Sequence, residues 1–457
     1  MVATLLPPAL PLVLFGAHRW NRVGLIRSCQ RAGFSPLIVT GPNEVLHPEL
    51  ARLLHVSQVL RHRLDPAAMD DLRRAVTERI GPDFFALGLD DYVCHLAACL
   101  PTTIERRCFE PNAAETTRHK DLLRAMWNEA AKLHPALAPV EYQVRRFESL
   151  TFDGEGDVLS ESEGFDVSAP AVIKPRSLDA SIAVYDCSAV DFATIRTALS
   201  IELTEVAAYA QAAEIHVAPE LIIEHRIARG TTHPGGEFSA EVLSLVGQPH
   251  RLLGITQKYL SASRFIEVAH VFPAPDFPRV LREPLLDALT KMLDDLGVRF
   301  GVSHWEFIVT PENRIALVEG QLRPAGDRIC ELIEMVLGAD PISLLLESLR
   351  CLPTRNLSTD GFAGVFFLQP EVTLPEIASV ECGLRVLAQW SPQIEAAELL
   401  SVRNWEGPVN SFQKLISIVG RGSAPKELRA DARQAAKQIV VHSPTGQRSA
   451  MQLVLPQ

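Results

Sequence analysis

The chain has 457 residues, 47% of them apolar, and a formal net charge of −11 from 55 acidic against 44 basic side chains. That length and composition describe a soluble globular chain with material for two to four domains and exclude a disordered one. The acidic balance and the lack of a Lys/Arg stripe exclude a nucleic-acid surface, which needs clustered cations.

The apolar start, Leu5 to Gly16, has no basic flank and is broken by Pro7, Pro8 and Pro11, so it suits a lead-in to a first strand better than a signal peptide. No apolar run is long enough to span a bilayer. The eight cysteines form no CxxC pair and read as small core residues in a reducing cytoplasm.

From Pro11 to about Leu100, short apolar runs alternate with amphipathic ones. Strands are expected at 12–16, 36–40, 56–60 and 83–88, with helices near 21–32, 66–80 and 90–100, which makes a doubly wound α/β domain over 1–112. The glycines at 16 and 24 have the wrong spacing for a dinucleotide turn, and Thr40 stands where a ribose-binding acid is expected, so NAD binding carries little weight. A helix-like stretch over 112–133 carries Lys120. Strands at 140–147, 171–175 and 182–185, a helix near 189–211 and a strand at 221–224 complete a unit ending near 227. Strands at 238–246, 251–258 and 265–272 and a helix at 277–296 follow, then two acidic strands and helices at 328–337 and 341–350. Beyond 353 a mixed tail holds a strand at 413–419 and an amphipathic helix near 425–439.

The two acidic strands are the most informative stretch. Ser303-His304-Trp305-Glu306-Phe307 is followed by Leu317-Val318-Glu319-Gly320-Gln321-Leu322-Arg323, which sets Glu319 thirteen residues after Glu306. Alternation puts both carboxylates on neighbouring strands facing the same way, where they would repel without a cation between them. A solvent-facing hairpin is the alternative, but the apolar residues around both acids make the strands look buried. Magnesium fits best, because it is held by one or two carboxylates together with phosphate oxygens, and a phosphoryl-transfer site is expected.

Three other segments suit a nucleotide. Val172-Ile173-Lys174-Pro175 sets a lysine at the end of a buried strand, and the loop to Ser181 can cover phosphates with its amides. Leu221-Ile222-Ile223-Glu224 opens into His225-Arg226-Ile227 and can offer backbone groups to an adenine edge. Gly236-Glu237 supplies an acid for ribose hydroxyls. Their order along the chain is a stronger signal than any one of them.

With these residues the chain resembles the ATP-grasp superfamily over roughly Lys120 to Arg328. The resemblance implies ATP bound between two α+β subdomains: a lid over 113–227, a catalytic antiparallel-sheet subdomain over 228–352 and a C-terminal α/β extension over 353–457. It places Lys120 and Lys174 on the phosphates, Glu224, His225 and Ile227 on the adenine hinge, Ser181 on the phosphate loop and Glu237 on the ribose. It places Glu306, Glu319 and Gln321 on two magnesium ions, with manganese as a substitute, and Arg323 on the arginine of a Glu-x-Asn-x-Arg signature. Gln321 departs from the usual Asn, and the loop at 177–181 has no glycine.

Phe265-Ile266-Glu267-Val268-Ala269-His270-Val271-Phe272-Pro273-Ala274 is similar to the Phe-Val-Glu-x-Gly-His-x-x-Pro-Ala segment of the L-amino acid ligases that make dipeptides, with Ala269 for Gly. This implies a cytoplasmic ligase that activates a carboxylate as an acyl phosphate and joins it to an amine, with small-molecule substrates, no membrane or nucleic-acid partner, and a homodimer. Arg323 would stabilise phosphoryl and oxyanion charge, Glu267 would bind the amino group and His270 the acyl phosphate or oxyanion. Gly326, Asp327 and Arg328 fall where the family shapes the pocket for the first substrate. A carboxylase of the same superfamily and a catalytically silent nucleotide-binding protein are the competing readings, with a dehydrogenase behind both.

Overall fold

The computed structural model describes residues 11–17, 23–101, 103, 107–146, 170–177, 183–187, 194, 195, 197, 220–229, 236–260, 265–350, 357, 359–370, 379–382, 394–399, 416–453 and 455. Four short strands, β1 (Leu12–Phe15), β2 (Leu37–Thr40), β3 (Val59–Arg61) and β4 (Phe85–Gly88), alternate with α1 (Val23–Arg31), α2 (Pro48–Leu53), α3 (Met69–Ile80) and α4 (Cys94–Cys99). The strands pair in parallel in the order β3-β2-β1-β4. Each of β1, β2 and β4 is buried at every position, as continuous apolar runs covered on both faces should be. Val13, Phe15 and Val39 meet Leu72 and Val76 of α3 on one side, while Leu12, Leu14 and Ile38 join Ile26 of α1 on the other. This is the expected doubly wound arrangement. The third strand starts later than expected because residues 56–58 form a 3₁₀ turn, capped reciprocally by His55 and Gln58.

The expected helix over 112–133 is two helices, α5 (Pro111–Arg118) and α6 (Lys120–Leu133). His119 breaks them with an extended backbone, and the Lys120 N–H donates to the Arg176 carbonyl instead of continuing a helix. Strands β5 (Tyr142–Arg146), β6 (Ala171–Pro175), β7 (Tyr185–Asp186) and β8 (Glu220–His225) form a small antiparallel sheet in the order β5-β8-β6-β7. The helix expected near 189–211 lies outside the described residues apart from 194, 195 and 197.

The central sheet begins with β9 (Glu237–Ser244), β10 (Arg251–Leu260) and β11 (Glu267–Phe272), then α7 (Arg282–Asp295), β12 (Gly301–Val309), β13 (Ile315–Gln321), α8 (Ile329–Leu337) and α9 (Pro341–Leu349). The tail holds more strand than its pattern suggests: β14 (Phe362–Pro370), β15 (Ser379–Cys382), β16 (Ile394–Leu399), β17 (Ile416–Gly422), α10 (Pro425–Ala436), β18 (Ile439–His442) and β19 (Arg448–Gln452). The last helix stops at Ala436 because Ile439 begins a strand. These strands extend the sheet as β13-β12-β9-β10-β11-β14, with β17 also on β14 and β19-β18-β15 beyond. Cys29, Cys94 and Cys108 are buried free thiols, as expected of core cysteines.

Alternation gives the β9–β12–β13 surface two unlike faces. Phe238, Ala240, Val242, Trp305 and Phe307 point into one core cluster with Leu123 and Trp127 of α6 and Leu285 and Leu289 of α7. That cluster also takes in the first-sheet residues Leu12, Leu14 and Ile38, so the parallel and central sheets share a core. The opposite face carries the ionisable residues. Gly320 sits across from Trp305, and a Cβ there would lie 2.5 Å from the indole ring and 3.2 Å from Leu123. Gly320→Ala should therefore destabilise the protein by about 1–3 kcal/mol, since a packed indole cannot yield without backbone shifts. Urea unfolding giving the same midpoint for both proteins would contradict this.

Candidate nucleotide and metal site

Glu306 pairs directly with Glu319 across β12 and β13, and Gln321 pairs with His304. One row further in, β9 sets Ser239 beside Glu306 and Glu241 beside His304, and β10 sets Lys258 beside Glu237. All of these side chains therefore share one face. It forms the floor of a cleft whose other wall is the small sheet, lined by Lys174 and Glu224 with Ile227 beyond β8. Lys120, Glu237, Glu267, Glu306 and Glu319 also line it.

The acids are not left to repel one another. Lys258, 1% exposed, sets its Nζ 2.5 Å from Glu306, 2.8 Å from Glu267 and 3.5 Å from Glu237. Burial alone would lower the pKa of that ammonium, but the three carboxylates raise it well above the usual lysine value. His304 bridges Glu241 at 2.6 Å through Nδ1 and Glu306 at 2.9 Å through Nε2. Burial disfavours its charged form, yet the two carboxylate hydrogen bonds push its pKa up to about 9. Burial in turn pushes Glu306 up, and Lys258 with His304 outweigh it, holding the carboxyl far below its usual range. Glu237 stays raised because its burial exceeds the pull of Lys258 and Arg229. Lys120 lies 3.3 Å from Glu319.

Glu224, expected at the adenine hinge, is paired with two buried cations. Its carboxylate is 2.5 Å from Lys174 Nζ and 3.1 Å from Arg124 Nη2, so it serves as the counter-charge of a buried lysine. Burial lowers the Lys174 pKa, and Glu224 opposes that fall. The hinge amides are also used elsewhere, since His225 donates to the Glu141 carbonyl and Arg226 to that of Pro170, leaving Ile227 at the cleft. Burial raises the Glu224 pKa, but Arg124 and Lys174 hold it below the usual 4.5. A depressed carboxyl stabilises the fold above pH 4.5, and that contribution is lost as pH falls through its folded pKa. Glu224→Gln should cost about 3–5 kcal/mol at pH 7 by stranding two buried cations, and should flatten the stability loss below pH 4.5. Parallel pH profiles of urea stability for wild type and variant would refute it.

The remaining residues expected in the site have the following neighbours. Arg323 is forked onto Asp91, 2.8 Å from Nε and 3.4 Å from Nη2, and ties β13 to the end of the parallel sheet. Gln321 is buried on the acidic face and its Oε1 has no hydrogen-bond partner. His270 is buried beside Asp327, and Arg328 is held by Glu331 at 2.7 and 2.8 Å. Gly326 accepts the Ile329 N–H in the turn into α8. Ser181 lies outside the described residues. Sequence reasoning gave no role to Lys258, His304, Glu241 or Arg124. A lysine inside an apolar strand, a histidine two residues from Glu306 and an arginine one helical turn after Lys120 were the available signals.

Residues 167–331 match the model of an ATP-grasp domain. No curated protein matches the sequence. Among solved structures, the L-amino acid ligase from Bacillus licheniformis is similar with a TM-score of 0.71 at 16% identity, over 94% of this chain and 98% of that one. Phosphoribosylglycinamide synthetase from Anaerococcus prevotii gives 0.63 at 14% identity, over 94% and 99%. The biotin carboxylase domain of the Hydrogenobacter thermophilus 2-oxoglutarate carboxylase, solved as a dimer with MgADP, ADP and bicarbonate, gives 0.65 at 12% identity, over 97% and 92%. Residues 167–331 thus match an ATP-grasp domain, and the chain has the ATP-grasp fold.

Proposed function

We propose that the chain is an ATP-dependent carboxylate–amine ligase that joins two L-amino acids, or a small acid and an amino acid, through an acyl phosphate with release of ADP and phosphate. The register of Glu306 opposite Glu319, on a cleft floor facing Lys120 and Lys174, carries this reading. The donor set suits magnesium: two opposed carboxylates plus the buried, unpartnered Gln321 Oε1 offer oxygen only. Magnesium bound there would neutralise charge on the transferred phosphoryl group.

The chain's own residues do the positioning. Lys120 and Lys174 bind phosphate oxygens, Glu237 takes the ribose, and Ile227 and Ser181 belong to the nucleotide's surroundings. Lys258 and His304 keep Glu306 ionised and fixed in orientation, so little reorganisation is needed when a nucleotide arrives. Arg323 is assigned to phosphoryl and oxyanion charge, His270 to the acyl group, and Glu267 to the amine, which must attack uncharged. Asp327, Arg328 and Gly326 form the first-substrate end. The division at 112, 227 and 352, a homodimer and a cytoplasmic setting belong to the same proposal. Among the described residues no helix is long and apolar enough to cross a membrane.

The test is phosphate release from ATP and magnesium across all pairs of proteinogenic amino acids, with mass spectrometry of the products. Release that requires two amino acids and yields a dipeptide mass is the expected result. Release triggered by bicarbonate and by no amino acid would replace this reading with a carboxylase.

A further inference from the structure

We propose that Glu267, His270 and Asp327 form a second cation site, separate from the paired glutamates, that takes a first-row transition dication such as zinc or cobalt. One ligand atom from each residue lies within 4.8 Å of the others. His270 is 0% exposed, and neither ring nitrogen has a hydrogen-bond partner. Its ring rests edge-on against Phe367 at 5.8 Å. Leaving a buried polar group unsatisfied is costly, and a ligand that takes a ring lone pair removes that cost. Asp327 Oδ2 is 3.8 Å from Nε2, too far for a hydrogen bond. Two donors each about 2.1 Å from one ion stand about 3–3.5 Å apart, so a modest contraction closes the site.

The fold brings the three together by a local irregularity. Glu267 and His270 are three apart and would face opposite ways on a regular strand. The register of β11 on β10 slips between Tyr259 and Leu260, so that Leu260 faces Glu267 while Lys258 faces His270, and both acquire the same side. Asp327 arrives from the turn before α8.

An imidazole with two carboxylates selects borderline dications, whereas magnesium prefers an all-oxygen set. Lys258 holds Glu267 Oε1 at 2.8 Å, so the ion uses the carboxylate's remaining lone pairs or displaces that ammonium toward Glu306. Such an ion would compete with the amine for Glu267, a consequence that rests on the functional reading above; binding of the ion does not.

The experiment titrates cobalt(II) into the full-length, chelator-stripped chain in excess magnesium, followed by visible absorption and calorimetry. One equivalent with a nitrogen-ligated visible band is expected, weakened at least about tenfold in Asp327→Asn and in His270→Gln and unchanged in Glu319→Gln. Asp327 is half-buried at a turn, so its variant carries the test if His270→Gln does not fold. Absence of that equivalent, binding unaltered in Asp327→Asn, or binding lost in Glu319→Gln would overturn the proposal, whatever the chain's activity toward amino acids.

Discussion

Lys258→Met should cost the fold about 3–5 kcal/mol, because it leaves Glu237, Glu267 and Glu306 facing one another without their shared ammonium. The methionine fills nearly the same space, so the loss reflects charge rather than a cavity. Two consequences separate this account from simple packing. Destabilisation should shrink as pH falls and the acids take up protons, and magnesium should restore part of the lost stability by taking the ammonium's place at Glu306. Chemical unfolding at pH 7 and pH 5, with and without magnesium, measures both. A pH-independent loss untouched by magnesium would refute the charge argument.

Glu319→Ala should lower turnover by at least about a thousandfold in the folded fraction. The Glu319 side chain is 17% exposed but that of its partner Lys120 is only 6% exposed, so losing the carboxylate also leaves a buried ammonium short of its counter-charge and weakens the fold. Glu319→Gln should be nearly as inactive, because an amide keeps the shape and loses the charge that balances a divalent cation. Phosphate release within tenfold of wild type in either variant would remove Glu319 from the site and leave Glu306 to be explained by Lys258 and His304 alone.

The opposed glutamates were legible because strand alternation and a thirteen-residue spacing are local facts. The register that sets Glu306 against Glu319 needs only one hairpin. Lys258 was opaque for the opposite reason: its three partners come from β9, β11 and β12, and no pattern within β10 encodes those neighbours. Arg323 and Asp91 lie 232 residues apart, so the tie of this guanidinium to the first sheet could not be read from its motif. The parallel sheet could be read from its apolar runs, whereas the tail's strands are short, with β15 pairing β18 and β14 pairing β19 across long stretches of chain. Glu224 sits in the segment the sequence singled out, but its ion pairs with Arg124 and Lys174 join three separate segments and were not legible there.

The small sheet is attached in an unusual manner. Ile173 of β6 and Ile222 of β8 lie outside the large core cluster, and the sheet meets α6 through Arg124 with Glu224, Arg176 with Asp121, and the Lys120 N–H on the Arg176 carbonyl. α6 itself is anchored in that core by Leu123 and Trp127. The latch over the cleft is therefore ionic while its mounting is greasy, and its grip should respond to dissolved salt and to the charge of an entering guest far more than to temperature-driven loosening of the interior.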